Sequence, residues 1–322
     1  MSNKKIIMGI DTSNYTTSVA LMTEDGELLA NIKRPLLVKA GERGLRQSDA
    51  VFAHIKNMPS AMAEAKNVLS GRVVSALGVS TRPRNIEGAY MPCFLAGVMA
   101  AESIRASSNI PLYRFSHQCG HLMAAIYSSG RYDLLERDSF AAFHVSGGTT
   151  EMLRVTPSDD AFKAELIGGT ADLNAGQIID RVGVYMGISF PAGPELERLA
   201  LQNERKFKNS KPKVNEHKIN LSGLENMAVK AYEETKDASY VSAFVLNYVG
   251  LSLCALADSY ESRFGKSEFL FAGGVMSNSI IKNMLSDKFN ASFAEPIMSS
   301  DNAVGIAELA RRKFINKRDS DD

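Results

Sequence analysis

Tryptophan is missing from this sequence, and cysteine is scarce. Cys93, Cys119 and Cys254 lie far apart and form no CxxC pair, which excludes a disulfide framework and fits a reducing compartment. Net charge is nearly absent too: 37 basic residues against 36 acidic ones leave +1 at pH 7. A global basic field is therefore excluded, and any nucleic-acid partner has to be met by a local patch. No stretch approaches the ~18 apolar residues of a membrane span. The longest apolar segment, residues 241–257, is interrupted by Ser242, Asn247, Tyr248, Gly250 and Ser252 and reads as a buried core helix. The apolar run around Met8 is too short for a signal peptide. Together these absences predict a cytoplasmic protein with no membrane contact.

What is present is enough for two cores: 322 residues, 45% of them hydrophobic. Residues 5–9 read as a buried strand entering a polar turn at 11–14. Residues 16–22 form a second strand, and Asp25-Gly26 turns the chain into a third near 27–34. A helix at 47–69, a strand at 76–81, a helix at 90–106 and a strand at 112–116 follow. The second half begins again with strands at 140–146, 150–156 and 162–167. Helices come next at 174–186, 194–202, 222–235 and 238–264, then a strand at 269–272 and helices at 277–288 and 302–315. Each half opens with strand, small or polar turn, strand. That repeat predicts two α/β lobes, 1–135 and 136–316, with a ligand cleft at their junction and a disordered tail over 317–322.

The turns carry candidate chemistry. Asp11-Thr12-Ser13-Asn14 sets short carboxylate and hydroxyl groups beside backbone N–H groups, which suits a phosphate or its metal; an ordinary hairpin turn looks the same. Asp11 and Ser13 are its candidate contacts. The matching turn of the second half, Ser146-Gly147-Gly148-Thr149, has two glycines that admit a phosphate close to the backbone. At Gly273-Gly274 a strand ends before a helix, and Asn278 either caps that helix or meets a ribose or phosphate. A glycine-rich loop from Gly168 leads into a helix carrying Asp180, which either accepts from ribose hydroxyls or sits on the surface.

Two of the five histidines, His117 and His121, are spaced i and i+4, so on a helix they share a face and can chelate a divalent metal. Asp301, just before the last helix, is the best third ligand, or else a plain N-cap. HQCGH has no glutamate to act as general base, which argues against zinc-peptidase chemistry.

In order along the chain, DTSNYTTSVA, HQCGH, VSGGTTEML, GGTADLNAGQIIDRVG, FPAGPELERLA, NLSGLENMAV, AGGVMSN and SDNAVGIA resemble the motifs of the universal tRNA threonylcarbamoyladenosine-synthesising transferase family. The resemblance covers nearly the whole chain. It implies two actin-like ATPase lobes of the ribonuclease-H-like type with a cleft between them. It also implies transfer of a threonylcarbamoyl group from its adenylate to an adenine of tRNA. By resemblance, one divalent metal (iron or zinc) is held by His117, His121 and Asp301. ATP or threonylcarbamoyl-adenylate is held by Ser146, Gly147, Gly148, Thr149, Asp180, Gly193 and Asn278. Family members work with partner proteins, including an inactive paralogue and an ATPase. For tRNA phosphates the local candidates are Arg82, Arg84, Arg205, Lys206, Lys208, Lys211 and Lys213.

The chain departs from the family pattern at several of these places. Cys119 stands where the family has glutamate and Thr149 where it has histidine. DTSNYTT replaces ETSCDET, Thr81-Arg82-Pro83-Arg84-Asn85 replaces the TAGPGL segment, and GGVVPE is matched only by residues 42–47. These changes mark a divergent paralogue and keep a second reading open: a nucleotide-binding regulatory protein without transfer activity. Retained function requires the new side chains to face the site, whereas lost function leaves them buried or dispersed.

Overall fold

The computed structural model describes residues 4–13, 15–37, 45–158, 161–206, 212–298 and 302–321. Its strands are β1 (Ile6–Ser13), β2 (Thr16–Thr23), β3 (Leu28–Pro35), β4 (Val74–Arg82), β5 (Leu112–Ser116), β6 (Phe140–Val145), β7 (Thr150–Ser158), β8 (Ala161–Thr170), β9 (Lys218–Ile219), β10 (Glu268–Ala272) and β11 (Asn290–Phe293). The helices are α1 (Gln47–Leu69), α2 (Phe94–Ser108), α3 (His117–Ser129), α4 (Ala175–Tyr185), α5 (Gly193–Ala200), α6 (Ser222–Thr235), α7 (Ala238–Phe264), α8 (Ser279–Ser286) and α9 (Val304–Asp321).

The first sheet has the order β3-β2-β1-β4-β5. β1 runs antiparallel to β2 and parallel to β4, and it is buried along its whole length, as a central strand covered on both faces must be. Period-two alternation sends Met8 and Ile10 to one face, where they pack with Met58 and Ala61 of α1 and Ala101 of α2. Gly9 and Gly78 open the other face to α9. A Cβ on Gly9 would lie 2.5 Å from the Ala303 carbonyl oxygen, and one on Gly78 would lie 2.6 Å from that of Ile306.

The second sheet has the order β11-β10-β6-β7-β8-β9. β6 runs antiparallel to β7 and parallel to β10, which runs parallel to β11. From β8 to β11 this repeats the strand order of the first sheet, so the repeat read from the sequence is a repeat of topology. Phe143, Phe269 and Phe271 stack against one another, and Tyr260 of α7 packs on Phe269. By length and composition α7 is, among the described residues, the one helix that could cross a membrane; thirteen of its residues are buried in this core.

The chain divides into two compact units. The first is Met1–Gly130, Ser158–Lys163 and Ser300–Asp322; the second is Arg131–Pro157 and Ala164–Ser299. This differs from continuous lobes over 1–135 and 136–316, because the last helix belongs with the first sheet. The cause is backbone-close packing: besides Gly9 and Gly78, a Cβ on Gly305 would come 1.8 Å from the Gly120 carbonyl oxygen of α3. Helix α9 also continues through Asp321, into the segment expected as a disordered tail.

Candidate nucleotide and metal sites

In the second unit, five separate segments converge on a cavity of about 440 Å³. The Ser146–Thr149 turn contributes Gly147. Its shape is set from within: the Ser146 hydroxyl accepts from the backbone N–H groups of Gly148 (3.3 Å) and Thr149 (3.1 Å), and Ser146 N–H donates to the Thr149 carbonyl (2.7 Å). Ser146 and Thr149 therefore brace the turn that Gly147 presents. The N-terminus of α4 sits against it, since a Cβ on Gly176 would lie 2.6 Å from the Gly147 nitrogen. Gly176 N–H is spent on the Ser146 carbonyl and Ala175 N–H on the Thr150 hydroxyl, so α4 offers the cavity its dipole field more than free donors.

Asp180, one turn further along α4, lines the cavity and accepts from Ala192 N–H at 2.8 Å, which ties down the Pro191–Gly193 turn. Gly193 lines it as well, and a Cβ there would meet only Ile179 within 4 Å. Asn278 lines the cavity and also caps α8, its Oδ1 accepting from Ile281 N–H at 3.1 Å. The capping alternative read for Asn278 thus holds, and the same residue lines the cavity. Gly274, with nothing within 4 Å of a Cβ, lines the cavity too, while Gly273 has φ +106° and needs to be glycine beside the Val145 carbonyl.

Glu197 is the residue that sequence reasoning missed. It lines the cavity, and its Oε1 accepts from Ser279 N–H at 2.7 Å. Its signal was present in the sequence, since it lies four residues after Gly193, on the same face of α5. The cavity thus combines two carboxylates, an amide and apolar walls from Ile179, Leu246 and Val275, with no Lys or Arg in its lining among the described residues. That chemistry suits ribose hydroxyls and a flat base better than a polyphosphate.

The first unit holds the histidine pair. Ser116 caps α3 by accepting from Cys119 N–H at 3.2 Å, which places His117 in the first turn. His117 Nε2 and His121 Nε2 lie 2.9 Å apart with their rings edge to face. His117 Nδ1 lies 3.1 Å from Asp11 Oδ1. Two imidazole nitrogens converging on one point are a donor set that suits iron or zinc. Asp301 lies outside the described residues, and among those residues no group of three His, Cys, Asp or Glu is placed to hold a metal ion.

Asp11 and Ser13 are not in a turn. β1 continues to Ser13, whose partner in β2 is Thr16, so residues 11–13 are paired in the ladder and both side chains are buried. Residues 11–13 of the expected phosphate turn thus lie in a strand, and Asn14 lies outside the described residues. Gly168 and Gly169 likewise end β8 rather than forming a ligand loop, because the His217 and Thr150 carbonyls crowd their Cβ positions.

Two of the divergent positions, Cys119 and Asn85, meet. Cys119 is buried, with its thiol against the Phe162 carbonyl (3.6 Å) and Asn85 Nδ2 (3.2 Å), and Asn85 also donates to Phe162 O (3.1 Å). Burial pushes the Cys119 thiol up, and burial with the Asp11 carboxylate holds Cys93 at about 11, so neither is a thiolate nucleophile. Of the basic candidates, Arg82 bonds Asn85 and Arg205 pairs with Asp237 and covers Tyr240; Lys208 and Lys211 lie outside the described residues.

A family model described as tRNA N6-adenosine threonylcarbamoyltransferase matches residues 42–308. The chain belongs to this family. Among curated relatives with that description, the one from Christiangramia forsetii is 29% identical, covering 98% of this chain and 96% of its own. The one from Methanopyrus kandleri is 26% identical, over 94% and 86%. Among solved structures, the activator of the 2-hydroxyisocaproyl-CoA dehydratase from Clostridium difficile with bound ADPNP superposes with a TM-score of 0.53 at 12% identity, over 98% and 97% of the two chains. A ROK family glucokinase from Streptomyces griseus in complex with glucose and AMPPNP gives 0.51 at 13%, over 95% and 99%. Full-length HypF gives 0.58 at 13%, over 97% of this chain and 46% of that one. At these identities the likeness concerns the fold, and this threonylcarbamoyltransferase-family chain has the actin-like ATPase fold.

Proposed function

We propose that this chain transfers a threonylcarbamoyl group from its adenylate to adenosine of tRNA, with the adenylate's nucleoside in the cavity of the second unit. The supporting observation is the convergence of Gly147, Asp180, Gly193 and Asn278 on that one cavity. In this reading Asp180 and Glu197 accept from ribose hydroxyls, the Asn278 amide donates to the ligand, and the apolar walls take the adenine. Binding there excludes water from the adenosine end and fixes the acyl group's direction. His117, His121 and Asp301 would hold one divalent ion, iron or zinc, and such an ion supplies Lewis-acid polarisation of the carbamoyl carbonyl. A tRNA substrate fits the expectation of a cytoplasmic protein.

A protein partner has a surface to use. Phe52 and Ile55 of α1 and Leu95 and Met99 of α2 are each exposed by about half or more. A paralogue or an ATPase is the expected class of partner.

One observation favours the regulatory alternative: Cys119, in the family's glutamate position, is buried rather than presented. The deciding assay supplies purified protein with threonylcarbamoyl-adenylate, unmodified tRNA and partner proteins, and looks for the modified nucleoside by mass spectrometry. Transfer is the expected result. Nucleotide binding without any transfer would overturn the enzymatic reading in favour of the regulatory one.

A further inference from the structure

We propose that Asp11 is a positioning residue: its carboxylate accepts a hydrogen bond from the Nδ1–H of His117 and so leaves the lone pair on Nε2 of that ring, beside Nε2 of His121, facing a shared cation. The proposal rests on the metal reading above and adds a residue to it.

Asp11 is 0% exposed, and a carboxylate removed from water needs donors. His117 Nδ1, at 3.1 Å, is one of them. Neutral imidazole carries a single proton, so a proton on Nδ1 leaves Nε2 with its lone pair. That Nε2 is the atom lying 2.9 Å from His121 Nε2. A carboxylate behind a ligating histidine fixes its tautomer and ring orientation and raises its basicity.

The carboxylate stands on rigid backbone. Asp11 pairs with Ser18 across the ladder, and the Ser18 hydroxyl donates to the Asp11 carbonyl at 3.2 Å. The next residue, Thr12, donates to the Cys93 carbonyl (3.0 Å) and accepts from Gly97 N–H (3.0 Å), pinning the end of β1 to the start of α2. His117 is fixed from its own side by the Ser116 cap. Both partners are thus set by separate elements. The pairing also gives a carboxyl group buried in the ladder a polar partner.

The test uses the purified full-length chain stripped of metal. Nitrogen-15 NMR of the imidazoles should show His117 protonated at Nδ1 in the wild type; protonation at Nε2 instead would overturn the proposal without any variant. Titration with cobalt(II), followed by its visible absorption, should show Asp11→Ala weakening binding about 10- to 100-fold. Asp11→Asn, which keeps an oxygen acceptor, should lose less. Thermal melts identify any variant that fails to fold. Equal cobalt affinity in wild type and folded Asp11 variants sinks the positioning role while leaving the metal site standing. No cobalt binding by the wild type sinks the metal reading, and this proposal with it.

Discussion

Asn278 shows how one side chain serves structure and site together. Its Oδ1 caps α8, among the described residues nothing takes its Nδ2 donors, and the residue lines the cavity. Asn278→Asp separates the two duties, because aspartate caps a helix as well as asparagine does. The variant should keep its melting temperature but place a third carboxylate beside Asp180 and Glu197. Adenylate affinity, read by calorimetry, should fall roughly tenfold, or about 1.4 kcal/mol. Unchanged affinity would remove Asn278 from the site. As cavity-lining residues, Asn278 was legible in the sequence because a short polar group at a helix start has few roles, and Asp180 because a glycine-rich loop leads into its helix. Asp11 was legible as important but not as buried: nothing local distinguishes a strand that runs on to Ser13 from a turn that starts at Asp11.

At the scale of elements, glycine decides which helix lies on which sheet. Gly305 lets α9 rest on α3 so closely that a methyl there would meet the Gly120 carbonyl at 1.8 Å. Gly305→Ala should therefore cost about 3 kcal/mol, at the upper end for overpacking, in urea unfolding. Gly147 makes the opposite case, with nothing within 4 Å of its Cβ position and a place in the cavity lining. Gly147→Ala should leave stability within about 0.5 kcal/mol yet weaken adenylate binding. The helices themselves were readable: the spans 222–235 and 238–264 follow from their apolar patterns and from the polar residues between them. The edge strands β9 and β11 were not, since two and four residues give too little periodicity to recognise.

For the molecule as a whole, acid should act through a buried histidine. His54 is fully buried, its Nδ1 bonded to the Thr17 hydroxyl at 2.8 Å. Burial lowers its pKa from the ordinary 6.5, against the opposing pull of a Ser13 backbone bond and the Asp11 carboxylate. The unfolded chain then binds more protons at this site than the folded one. Stability is fully present above 6.5 and declines as pH falls from there through the lower folded pKa. The urea midpoint should drop across that window in the wild type and drop less in His54→Gln. Parallel curves would mean that the imidazole titrates freely in the folded protein.

The sequence by itself determined the fold class, the doubled strand-turn-strand plan, the family and the cavity residues Gly147, Asp180, Gly193 and Asn278, because each rests on local pattern or on motif order. Only the tertiary structure decided that α9 returns to the first sheet, that Asp11 stands behind His117, and that Cys119 and Asn85 close on Phe162. Each of those depends on residues tens to hundreds of positions apart. Their contact is set by backbone approach and burial, which leave no periodic trace along the chain.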